Sequence, residues 1–145
     1  MPKLTMKKDL PYSVEQMFDL VSDVNSYDQF LPWCQKVRVY AQKQGQFDAD
    51  LIIGFKNFRE TFTSRVTYTA PKSVNVDYIK GPLKRLYNHW QFSENAGGGC
   101  HVDFEVDLEF KSRILENLIG TVFTEASKKM IDAFESRAEE LYGLR

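Results

Sequence analysis

Between Val37 and Phe110 apolar and polar residues alternate with a period of two, and on either side of this stretch the period becomes helical. The alternation is clearest at 100–110. There Val102, Phe104, Val106, Leu108 and Phe110 face one way, and His101, Asp103, Glu105, Asp107 and Glu109 the other. One face meets a core and the other water, as in a half-buried antiparallel strand. The same rule predicts strands with apolar faces at Val37, Val39 and Ala41, at Phe47 to Phe55, and at Phe58 to Tyr68. Two more follow, at Val74 to Tyr78 and at Leu86 to Phe92. Gln44-Gly45, Asn57, Pro71-Lys72, Gly81-Pro82 and Gly97-Gly98-Gly99 supply the turns. An earlier strand, Lys3 to Asp9, breaks at Pro11.

Ser13 and Gln16 fit a capping box, and Val14, Met17, Phe18 and Val21 form one helical face behind it. A one-turn helix is expected from Asn25 to Phe30, because Pro32 pushes Leu31 out of the helical region. From Ser112 to Tyr142 a stripe from Ile114 to Leu141 predicts a final helix about 45 Å long. Gly120 interrupts it at about 1 kcal/mol against alanine, which fits a kink or a close packing contact. No helices alternate with the strands, so a parallel sheet is not expected. The expected class is α+β, in one domain spanning residues 1–145. A curved antiparallel sheet carries two small helices at one end and is closed by one long C-terminal helix over an apolar cavity.

Charge changes this picture little. The 145 residues hold 19 basic and 20 acidic side chains, a balance unlike that of an obligate DNA or RNA binder. Cys34 and Cys100 lie far apart without metal-ligand spacing, which predicts two reduced thiols and no metal. The first eight residues alternate lysines without an apolar run, so no signal peptide is expected, and no segment reaches the ~20 apolar residues of a membrane span.

Candidate chemistry is sparse. His89 and His101 both fall on the polar parity of their strands and are expected at the surface. No nucleophile, phosphate-loop or metalloprotease motif occurs, so no catalytic residue is assigned. Aromatic residues make up 14% of the chain, and many have inward parity. Trp33, Phe55, Phe62, Tyr68, Tyr78, Trp90, Phe104 and Phe123 are therefore candidate ligand contacts, each with plain core packing as the alternative. Glu60 and Ser64 are polar residues on the inward parity of their strand. Glu60 is either a head-group anchor in a cavity or a residue at an edge, at a register break, or paired with Arg85.

Several strings are more specific. Pro11-Tyr12-Ser13, Met17-Phe18-Asp19-Leu20-Val21, Tyr27, Phe30-Leu31-Pro32-Trp33-Cys34 and Gly54-Phe55-Lys56 resemble the coenzyme Q-binding START-like family. So do Glu60 to Val66, Gly81-Pro82, Trp90-Gln91-Phe92 and Met130 to Phe134. That family belongs with the polyketide cyclase/dehydrase-like proteins and has bacterial relatives known as ribosome-association toxins. The resemblance implies a helix-grip fold that binds ubiquinone or a related polyisoprenoid without catalysis and without a required cofactor, supporting respiration. It leaves a second role open, at the large ribosomal subunit, for which Lys84, Arg85, Lys111, Arg113, Lys128 and Lys129 are the candidate contacts. A cyclase or aromatase activity is the third reading and would have to use Glu60, Ser64, Tyr68 or Tyr78. The chain begins almost directly with its first strand and shows no mitochondrial presequence, so a bacterial source is expected, with the protein cytoplasmic and at most peripheral to the inner membrane.

Overall fold

The computed structural model describes residues 3–55, 58–120 and 123–143. Seven strands form one antiparallel sheet: β1 (Lys3–Leu10), β2 (Cys34–Lys43), β3 (Gln46–Phe55), β4 (Phe58–Thr69), β5 (Ser73–Lys80), β6 (Leu83–Glu94) and β7 (Cys100–Phe110). Their order is β1-β7-β6-β5-β4-β3-β2, so β2 to β7 meander and β1 returns to the free edge of β7. β7 keeps the alternation read from its sequence, every second residue being buried. Register shifts in β2–β3, β4–β5 and β6–β7, at Cys34/Lys36, Tyr40/Lys43, Thr63/Ser64 and Leu83/Arg85, bend the strands and curve the sheet. One of them corrects the parity read for β2. Ala41 has φ 53° between Tyr40 and Lys43 and is exposed, so the inward run ends at Val39.

α1 (Val14–Ser22) starts where the sequence places it. The Gln16 amide donates to the Ser13 hydroxyl at 3.0 Å, and the Ser13 amide donates to Gln16 Oε1 at 2.9 Å. Val14, Met17, Phe18, Leu20 and Val21 are buried. The next element is a 3-10 helix, η1 (Val24–Gln29), without a side-chain cap. It begins at Val24 and ends at Gln29, one residue ahead of the expected Asn25 to Phe30 at each end. The Tyr27 hydroxyl donates back to the Val21 carbonyl and ties η1 to α1.

The C-terminal stripe forms two described helices, α2 (Arg113–Gly120) and α3 (Phe123–Tyr142). α2 ends at the glycine that weakens a continuous helix. Residues 121–122 lie outside the described residues, as does the turn expected at Asn57. The second half of α3 is pinned by aromatic rings. Phe134 sits 5.3 Å from Tyr27, 5.3 Å from Phe30 and 5.0 Å from Trp90. Farther along, the Tyr142 hydroxyl donates to the Gln16 carbonyl at 3.1 Å.

Candidate functional site

Beyond Phe134 the first half of α3 stands off the sheet, and the space beneath it is a cavity of about 350 Å³. Its floor comes from the inward residues of β3 to β7, among them Ala49, Leu51, Phe62, Ser64, Val66, Val74, Val76, Leu86, Asn88 and Val106. Ala126, Ser127, Met130 and Phe134 roof it from α3, at the spacing that keeps side chains on one helix face. Leu31, Pro32, Trp33 and Cys34 border one end, where η1 passes into β2. The floor carries small side chains on its β3–β4 side. Ala49 and Ser64 are direct register partners, with Val66 beside Ser64 on the same face.

Trp33 sits at the rim with φ 68°, a left-handed conformation that costs a bulky residue free energy. Its carbonyl accepts from the Gly54 amide at 2.9 Å, while the Cys34 amide donates to the Leu31 carbonyl at 3.3 Å. These bonds hold the indole at the junction, half-buried.

Polar groups in the wall are few. Tyr27 is tied to Val21, and burial raises its phenol well above the usual range. Asn88 is satisfied on both sides: its amide donates to the Glu105 carbonyl at 2.9 Å, and its oxygen accepts from Trp90 Nε1 at 3.1 Å. Burial, with a smaller contribution from the Asp28 charge, pushes the Cys34 thiol up to about 11, so it stays protonated at neutral pH. Ser64 and Ser127 complete the set. Among the described residues, no carboxylate, imidazole or amine lines the cavity, and no group of three or more His, Cys, Asp or Glu could hold a metal.

Of the contacts expected from sequence, Trp33, Phe62, Ser64, Trp90 and Phe104 stand in the cavity wall. The side chains of Phe55 and Phe123 lie outside the described residues. Three others are placed elsewhere. Glu60 has the inward parity, but it is exposed at the start of β4, where its carboxylate keeps its water. Tyr68 is half-buried at the other end of that strand and packs against Phe18 and Phe47, with ring centroids 6.0 and 6.2 Å away. The Tyr78 hydroxyl accepts from the Leu83 amide at 2.8 Å and so closes the β5–β6 turn. Sequence reasoning missed Asn88 and Ser127. Asn88 shares its parity with Leu86 and Trp90, and Ser127 lies three and seven residues before Met130 and Phe134. The signal for both was the one that singled out Ser64, a polar residue on an apolar face.

The histidines are less exposed than expected. His89 is half-buried, bonds Asn75 through Nδ1 and stacks on Tyr87. His101 lies 3.1 Å from Asp9 and 3.6 Å from Asp103. Neither lines the cavity. Both thiols are free and buried, and burial holds Cys100 at about 11 as well. Lys80, Lys84, Arg85 and Lys111 border a second, shallow groove beside Tyr78 and Leu83. Part of that charge is neutralised, since Lys84 pairs with Glu109 at 3.4 Å and Arg85 with Asp107 and Glu109 at 3.2 Å. Lys128 and Lys129 are exposed on α3, and Lys129 pairs with Glu125 at 3.7 Å.

The comparisons agree with this geometry. The chain is 37% identical over 145 residues to the Ribosome association toxin RatA of Escherichia coli, covering all of this chain and 92% of that protein. It is 36% identical over 143 residues to the mitochondrial Coenzyme Q-binding protein COQ10 homolog B of Xenopus laevis, covering 94% of this chain and 57% of the relative. The solution structure of an 18 kDa protein from Caulobacter crescentus superposes with a TM-score of 0.79 at 34% identity, covering 99% of this chain and 100% of the other. Residues 10–135 match the family described as Polyketide cyclase / dehydrase and lipid transport. Carrying that family's sequence over most of its length and a START-type curved sheet beneath a C-terminal helix, the chain belongs to it.

Proposed function

We propose that the protein binds a hydrophobic small molecule without catalysis, as a carrier or chaperone of ubiquinone or a related polyisoprenoid. The observation that carries this reading is the cavity under α3. Its volume lies near the lower end of the ~300–1,000 Å³ usual for small-molecule sites, and its wall is apolar with a few placed polar groups. That size suits a ring and the first part of a tail, with the rest of a long tail leaving past Leu31 and Trp33. Burial at roughly 25 cal/mol per Å² of apolar surface is enough to hold such a ligand. The coenzyme Q-binding name of one relative supports the ligand class. The protonated Cys34 thiol and the lack of an acid or base among the described lining residues favour binding over cyclase chemistry. Among the described residues, no helix is long and apolar enough to cross a membrane. Ligand exchange at a membrane surface by a cytoplasmic carrier fits this reading.

Organic extraction of the purified protein followed by mass spectrometry tests it. A co-purified isoprenoid quinone is the expected result. Protein that extracts clean, and that takes up no quinone when soaked, would overturn the proposal.

A second reading, association with the large ribosomal subunit, is favoured by the RatA relatives and by the Lys80, Lys84 and Lys111 groove. Salt-sensitive co-sedimentation with that subunit, lost when these three lysines are replaced by glutamate, would establish it.

A further inference from the structure

Two hydroxyls in the cavity wall have no use within the protein. Ser64 is 6% exposed and Ser127 7% exposed, and both line the cavity. Among the described residues neither hydroxyl makes a hydrogen bond, whereas the Tyr27 and Asn88 side chains beside them are bonded to protein partners. Neither hydroxyl oxygen is sealed off by neighbouring atoms, so each is open to a partner that enters the cavity, and a hydroxyl on an otherwise apolar wall is satisfied there only by such a partner. A helical serine ordinarily satisfies itself by turning back to the carbonyl four residues earlier, and Ser127 does not. The two also come from opposing walls, Ser64 from β4 in the floor and Ser127 from α3 in the roof.

We infer that Ser64 and Ser127 form a two-hydroxyl subsite for the oxygen-bearing head of the ligand, a ring carrying two carbonyl or hydroxyl oxygens. This rests on the cavity being the ligand site and adds an orientation. The head enters first and is bonded between floor and roof, and the tail trails along the apolar end formed by Leu31, Pro32 and Trp33. A hydroxyl can donate to a carbonyl oxygen or accept from a ring hydroxyl, so the pair serves both the quinone and its reduced form.

The test compares two probes with the same short tail, a ubiquinone analogue and an alkylbenzene that lacks the ring oxygens. They are titrated into the wild-type protein and into Ser64→Ala, Ser127→Ala and the double variant. The wild type is expected to prefer the quinone. Each single substitution should weaken quinone binding by about three- to tenfold, leave alkylbenzene binding unchanged and not lower the thermal midpoint. The double variant should bind the two probes alike. Full quinone preference in the double variant would overturn the subsite while leaving the cavity as the ligand site. Equal losses for both probes would overturn it too, by showing a change in cavity shape. A wild-type protein that binds neither probe would remove the ligand reading and the subsite with it.

Discussion

Replacing Phe134 with alanine is expected to lower stability by about 3–5 kcal/mol and to free the helix that roofs the cavity. Phe134 is 3% exposed, and its ring is edge-on to Tyr27 and Phe30 in the η1 region and to Trp90 on β6. It therefore joins α3 to both the η1 region and β6 through ring contacts. Truncation removes the apolar transfer term and leaves a void opening directly onto the existing cavity, which relaxation can fill only in part. Against a total of about 5–15 kcal/mol for a domain, this is a large share. Urea unfolding of the two proteins checks it. A loss under about 1 kcal/mol would mean that α3 is held elsewhere.

Phe62→Glu is expected to abolish ligand binding while the domain stays folded. Phe62 lines the cavity from β4 and is only half-buried, so a carboxylate there keeps some water in the empty protein. Ligand entry would strip that water, and among the described residues no basic side chain lines the wall to replace it. Desolvating an unpaired carboxylate costs several kcal/mol, and about 2.8 kcal/mol already corresponds to a hundredfold in affinity. A far-ultraviolet spectrum like that of the wild type, with affinity for a ubiquinone analogue reduced at least about a hundredfold, is the anticipated outcome. Full affinity in the folded variant would place the ligand elsewhere.

Much of this architecture is legible in the residues, because local physics fixes it. The Ser13 and Gln16 pair sets the start of α1, and the alternation at 100–110 survives intact in β7. Parity also separated Phe62, Ser64 and Trp90 from their outward neighbours, and all three reach the cavity. It failed where the question was position along a strand. Glu60 and Ser64 share a face of β4, but the cavity spans only its middle, which is a property of sheet curvature and of where α3 crosses. Tyr68 and Tyr78 missed the cavity for the same reason, one drawn towards α1 and the other into a turn. That small Ala49 lies opposite Ser64 in the wall is a cross-strand register that no local window contains.

The most direct test of ligand binding under α3 is a nuclear magnetic resonance titration with a short-tailed ubiquinone analogue. Methyl groups of Val66, Val76, Leu86 and Met130 line the cavity and report on its occupant. The ligand account predicts saturable shift changes concentrated at these methyls, with intermolecular contacts from the ring to the β4 floor and to α3. Shifts confined to the Lys80, Lys84 and Lys111 groove, with the cavity methyls unmoved, would contradict it.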